Sequence, residues 1–199
     1  MAVISGPSGS GKGTIISLLP DYYRKSVSAT TRKMRDGEIE GFDYFFVSRQ
    51  KFTSMRMRDE LIEYNYYNGN YYGTPKAQIE QGKAKGLTTL FDIDIHGAEN
   101  IKRLYPDAPM IYLLVPSAKE QIERIKTRGQ NTPEQIAERL EITKAELDKI
   151  DMFDLVLINE KGEMERCAAA LDDFLCGRKT ADEITDYSRV REIVEHYFD

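Results

Sequence analysis

The stretch Gly6-Pro7-Ser8-Gly9-Ser10-Gly11-Lys12-Gly13-Thr14 decides the fold. It follows a short apolar run, Ala2-Val3-Ile4, and leads into Thr14-Ile15-Ile16-Ser17-Leu18-Leu19, which reads as helix. A strand, a glycine-rich loop and a helix, with a lysine just after the last loop glycine, are the context that a phosphate loop needs. Glycines let backbone N–H groups turn inward around phosphate oxygens, and the start of the helix adds the positive end of its dipole. Lys12 adds a mobile cation for the terminal phosphates. All nine residues are therefore expected to hold a nucleotide by its phosphates. Gly13 stands where many such loops carry the Ser or Thr that ligates magnesium. Thr14 still offers a hydroxyl and a backbone N–H to an inner phosphate. The metal is then expected to rest mainly on phosphates, waters and another residue.

Working outward, apolar strand-like runs alternate with amphipathic stretches. Leu87–Phe91, Met110–Val115 and Leu155–Ile158 read as buried strands. They are followed by helices over His96–Leu104, Ser117–Thr127 and Glu163–Leu175. Repeated strand–helix units imply an α/β fold, a parallel sheet core flanked by helices. Two segments break the rhythm. Residues of about 27–79 are rich in Tyr, Phe, Asn and Gly, and Asn68-Gly69 is a turn signal between Ile62-Glu63-Tyr64 and Tyr71-Tyr72. This segment reads as an inserted mixed α/β subdomain. Residues of about 117–150 form two charged helices meeting at Arg128-Gly129-Gln130-Asn131-Thr132-Pro133, with Thr132 as N-cap and Pro133 at the first helical position, which suits a movable helical lid. The core is then about 1–26, 80–116 and 151–199 of one 199-residue domain. The tail from Gly177 predicts one more helix, around Arg189–Phe198, without a role.

Composition excludes several classes of function. A formal net charge of -5 argues against nucleic acid as a partner. Mean hydropathy is -0.52, and no apolar run approaches the ~20 residues of a membrane span. No signal-peptide pattern opens the chain. The only cysteines, Cys167 and Cys176, fit a reducing compartment, so a cytoplasmic location is expected, with no membrane partner. Two distant histidines, His96 and His196, give no metal-ligand spacing. Basic residues instead concentrate in two places, Arg24 to Arg35 and Arg124 to Arg139, a distribution that fits a small polyphosphate ligand. Nothing in the sequence sets the oligomeric state.

The first of these clusters carries chemistry. Ser26 to Arg35 presents hydroxyls followed by Arg32 and Arg35. With Tyr44 and Tyr72 it could clamp a phosphate monoester, arginine giving the fork geometry and tyrosine adding uncharged donors. Glu63 could accept two hydrogen bonds from a base with adjacent N–H groups, an edge that guanine has and adenine lacks. The tyrosines at 64, 66 and 67 are expected to pack the small subdomain. Asp92 and Asp94 alternate at the end of a strand, so both are expected on one face.

Together these residues resemble the guanylate kinase family. The resemblance runs through the phosphate loop, Ser26 to Arg35, Asp43-Tyr44, Ile62-Glu63, Gly69-Asn70-Tyr71-Tyr72-Gly73-Thr74, Phe91-Asp92-Ile93-Asp94, Arg128-Gly129 and Ile158-Asn159. It spans about residues 2–175 in order, and glycine at position 13 is common among nucleoside-monophosphate kinases. The Tyr64-Asn65-Tyr66-Tyr67-Asn68 run and Glu160 depart from the usual pattern.

The resemblance implies an enzyme that transfers the γ-phosphate of ATP to GMP, and to dGMP, with Mg²⁺. Ser28, Glu63, Thr74 and Asp94 would read guanine, with Ser28 and Thr74 donating to O6. Arg32, Arg35, Tyr44 and Tyr72 would hold the GMP phosphate, and Asp92 would position the metal through water. The lid arginines Arg124, Arg128 and Arg139 would close over the triphosphate and act with Lys12 and Arg35 in catalysis. Arg128 and Asn159 would lie near adenine. Two rivals are an inactive module of the same fold that binds phosphopeptides and a kinase of another small phosphorylated acceptor. The intact Lys12 and arginines oppose the first, and Glu63 with Ser28 opposes the second.

Overall fold

The structure, a computed structural model, describes residues 1–67, 69–127 and 131–199. From the amino terminus, β1 (Ala2–Ser5) and α1 (Lys12–Ser17) flank the glycine loop, followed by β2 (Tyr23–Lys25), β3 (Ala29–Thr30), β4 (Phe45–Phe46) and α2 (Arg49–Met57). The middle of the chain forms β5 (Leu61–Tyr67), β6 (Asn70–Pro75), α3 (Ala77–Ala84), β7 (Thr88–Asp92), α4 (Ile95–Leu104) and β8 (Met110–Leu114). Then come α5 (Ala118–Thr127), α6 (Pro133–Leu147), β9 (Leu155–Ile158), α7 (Met164–Leu175), α8 (Ala181–Ile184) and α9 (Tyr187–Glu195). The chain divides into two compact units, one of Met1 with Asp21–Ala108 and one of Ala2–Pro20 with Pro109–Asp199.

In the second unit β8 lies between β1 and β9, parallel to both. Its residues, Met-Ile-Tyr-Leu-Leu, are all buried, as a strand covered on both faces requires. Each such aliphatic side chain contributes about 1.5–3 kcal/mol by leaving water. The phosphate loop leaves the end of β1, and Gly6 at φ 139° runs so close to β8 that a Cβ there would stand 2.4 Å from the Leu113 carbonyl oxygen.

In the first unit β2 pairs with β7 in parallel, and a separate four-stranded sheet runs β4-β3-β6-β5. Within it β3 is antiparallel to β6 and parallel to β4, and β5 is antiparallel to β6. Ala29, Phe52, Met55 and Leu61 form its core, with Phe45, Val47 and Tyr71 packed against it. Phe52 stacks on Tyr71 at 5.4 Å between ring centroids. The α/β architecture expected from the strand–helix alternation is thus present.

Three local expectations need correction. Tyr64 and Tyr66 are exposed by 47% and 55%, so they do not fill the subdomain core. Arg56 instead lies over the Tyr64 ring, and Tyr66 meets the half-buried Tyr71. Asp94 is not on the strand with Asp92: β7 ends at Asp92, and Asp94 is the N-cap of α4, accepting from the Gly97 N–H at 2.8 Å. The tail forms two short helices, because Asp186 accepts from the N–H groups of Ser188 and Arg189 and starts α9 afresh after α8.

Candidate active site

The phosphate loop is held in shape from several sides. Gly11 caps α1 at φ 89°, and a Cβ on it would meet the Asn159 amide nitrogen at 2.7 Å. Lys12 Nζ donates to the Gly6 carbonyl at 2.6 Å, so its ammonium lies over the loop. Asn159, expected at the adenine ring, is fully buried and donates to the Ser10 carbonyl at 2.7 Å.

Two of the three arginines expected to form a lid reach this loop. Arg139 donates to Ser8 Oγ at 2.6 Å. Arg124 donates to the Asn159 carbonyl at 2.5 Å and to Glu120 Oε1 at 2.6 Å. Arg128, with residues 129 and 130, lies outside the described residues. Pro7, Gly9 and Ser10 are buried, whereas Gly13 and Thr14 are exposed at the start of α1.

The first unit gathers the other set. Glu63 on β5 and Thr74 on β6 are cross-strand neighbours. The Thr74 hydroxyl donates to Glu63 Oε1 at 2.7 Å. Its proton is thereby committed, so Ser28 Oγ, 3.0 Å away, must be the donor to Thr74. Burial raises the Glu63 carboxyl to about 7, the Thr74 hydrogen bond opposing and the Asp94 charge adding to the shift. Asp94 also accepts from the Asn65 amide at 3.0 Å.

Beside them lie the clamp residues. Tyr44 and Tyr72 meet edge to face at 6.0 Å, and the Arg32 guanidinium lies 5.4 Å from the Tyr44 ring centre. Burial and the Asp92 charge push the Tyr44 hydroxyl up to about 12, keeping it a neutral donor. Arg32 forks onto Glu38 at 2.9 and 2.6 Å. That hydrogen bonding holds the Glu38 carboxyl below its ordinary value and the Arg32 guanidinium above its own. Arg35 joins through its backbone N–H, 2.7 Å from Glu38, and its side chain is exposed.

Comparison with known proteins decides between the readings. The sequence model of guanylate kinase matches residues 1–177. The chain is 36% identical over 191 residues to the guanylate kinase of Carboxydothermus hydrogenoformans, covering 94% of this chain and 92% of that one. It is 35% identical over 201 residues to that of Bacillus cereus, covering 99% and 93%. The chain belongs to the guanylate kinase family. The crystal structure of guanylate kinase from Anaplasma phagocytophilum has the same fold, with a TM-score of 0.72 at 31% identity over 89% of this chain and 85% of that one.

A guanylate kinase needs a divalent cation with its ATP, and the residues present suit one. Asp92 offers a carboxylate, here paired with Lys25 at 2.9 Å. Among the described residues no group of three or more His, Cys, Asp or Glu could hold a metal ion alone. Magnesium characteristically takes one or two carboxylates with substrate phosphates and water, so a single aspartate fits it. Among the described residues no helix is long and apolar enough to cross a membrane.

Several partners of these candidate residues were not anticipated from the sequence. Glu38 occupies the fork of Arg32, Asn65 holds Asp94, and Gln121 donates to the Ser8 carbonyl at 3.1 Å. Only Glu38 had a usable signal, a carboxylate six residues beyond an arginine across a glycine turn. The other partners meet through tertiary folding.

Proposed function

We infer that the protein transfers the γ-phosphate of ATP to GMP, giving ADP and GDP. The observation that carries the guanine assignment is the hydrogen-bonded chain from half-buried Ser28 to buried Thr74 and Glu63, which gathers a carboxylate and two hydroxyls at one place. Ionised Glu63 accepts from guanine N1–H and N2–H. The hydroxyls of Ser28 and Thr74 turn to donate to O6, and Asp94 borders the base. Adenine offers the opposite polarity at these positions and leaves Glu63 unpaired.

Arg32, Arg35, Tyr44 and Tyr72 are proposed to hold the GMP phosphate, Arg32 exchanging Glu38 for it. The loop from Gly6 to Thr14 holds ATP, with Asn159 supporting the loop. The acceptor is a phosphate oxygen that is already anionic, so the reaction needs no general base. Catalysis then reduces to aligning donor and acceptor and neutralising the charge in transfer. Lys12, Arg35, Arg124, Arg128 and Arg139 supply that neutralisation. Asp92 would help hold the magnesium that accompanies ATP, whose charge would add to that neutralisation.

In this reading residues of about 27–79 are the GMP-binding insertion, 117–150 the lid and the rest the core. dGMP is a second acceptor, and the setting is cytoplasmic purine metabolism. Glu63→Gln tests the assignment. An amide presents one acceptor oxygen and sets a donor against the guanine edge, at a cost of about 1–3 kcal/mol. kcat/KM for GMP is expected to fall by about five- to 150-fold while KM for ATP stays near wild type. An unchanged GMP response would place guanine recognition elsewhere.

A further inference from the structure

The match to the family ends at residue 177, yet the chain beyond it packs on α5, whose Gln121 holds the phosphate loop. Tyr197, followed only by Phe198 and Asp199 in the sequence, is 1% exposed. Its carbonyl accepts from the Ala118 N–H at 2.8 Å, and its hydroxyl donates to Gln121 Oε1 at 3.1 Å. Gln121 is fully buried on α5. Its amide nitrogen donates to the Ser8 carbonyl at 3.1 Å and to Thr143 Oγ1 at 2.9 Å. Thr143 passes its own proton to the Arg139 carbonyl at 2.9 Å, which agrees with its accepting from Gln121.

Both amide hydrogens of Gln121 and its oxygen are therefore used. A glutamine at a fully buried helix position is costly unless every group is paired. An aliphatic side chain would pack there without that demand. What the glutamine adds is a grip on the loop. The Ser8 carbonyl and the Gly9 N–H belong to one planar trans peptide, so fixing the carbonyl towards α5 turns the N–H away from it. Ser8 is thus held by its carbonyl from α5 and by its hydroxyl from Arg139 on α6.

We propose that Tyr197 and Gln121 are positioning residues for ATP binding, the carboxy-terminal tail setting the orientation of the Ser8–Gly9 peptide in the phosphate loop. The inference rests on that loop being the ATP site. It gives the tail a role in donor binding and none in GMP recognition.

The test compares Tyr197→Phe, Gln121→Leu and the double variant by steady-state kinetics, ATP calorimetry and thermal melting. Tyr197→Phe removes one hydroxyl and leaves the ring to pack. Loss of one neutral hydrogen bond predicts a rise of about two- to tenfold in KM and Kd for ATP, with KM for GMP within about twofold of wild type. Gln121→Leu is expected to raise the ATP constants further. In the double variant no buried glutamine oxygen or tyrosine hydroxyl is left unpaired, so the melting temperature recovers while ATP affinity stays low. Recovery of both together, or unchanged ATP affinity in all three variants, would reduce the tail to packing and overturn the inference. Lys12→Ala separates the two levels. If it loses turnover while the tail variants keep ATP affinity, the inference alone fails; if folded Lys12→Ala turns over like wild type, the ATP reading of the loop fails with it.

Discussion

Glu63 is asked for two incompatible things. Burial raises its carboxyl to about 7, yet accepting both guanine N–H groups requires the ionised form. Between its ordinary value and about 7 the folded state holds a proton that the unfolded chain has released. Folding stability from this group is therefore present at acid pH and declines as pH rises through about 7. GMP capture runs the other way. kcat/KM for GMP should fall as pH drops below about 7, and the ATP dependence should not follow it. The GMP phosphate itself titrates near pH ~6. Glu63→Gln keeps that step, so the wild-type profile minus the variant's isolates Glu63; superimposable acid limbs would contradict the assignment. Lys12 makes a simpler prediction. Its ammonium lies over the loop carbonyls, and Lys12→Ala should leave the fold intact while costing about 3–4 kcal/mol of transition-state stabilisation. Near-normal kcat in a folded variant would remove it from catalysis.

At the level of elements, local constraints were the legible ones. The phosphate loop is recognisable because glycine and lysine spacing is a property of a few consecutive residues. The Gly6→Ala variant tests how tightly that loop is built. A side chain at φ 139° and 2.4 Å from the Leu113 carbonyl combines backbone strain with a clash, worth about 2–4 kcal/mol in a denaturant melt. A loss below ~1 kcal/mol would mean that β1 and β8 are not packed as described. Thr132 was legible for the same reason: the capping box with Gln135 needs only four consecutive residues. Thr132→Ala should cost about 1 kcal/mol. Asp94 reads as strand because alternation continues on paper past Asp92, where the chain turns into α4. The sequence predicts α9 but not α8, whose four residues are too few for a helical period and are marked by the capping box of Thr180 with Glu183.

For the molecule as a whole, residue types announced the ligand while their pairing stayed hidden. Arg32, Tyr44, Tyr72, Ser28, Glu63 and Thr74 could be named from sequence. That Arg32 is forked by Glu38, or that Tyr197 reaches Gln121, depends on residues brought together by folding, and one sequence carries no record of that. The central claim is that this guanylate kinase family member phosphorylates GMP, with base choice made by the Ser28–Thr74–Glu63 chain. A coupled assay of ADP release from ATP, run in parallel with GMP, AMP, CMP and UMP as acceptors, tests it most directly. Turnover with GMP exceeding that with AMP by orders of magnitude is the expected result, since a buried carboxylate left without its two donors penalises the wrong base severely. Preference for AMP, or equal turnover of all four, would contradict the account.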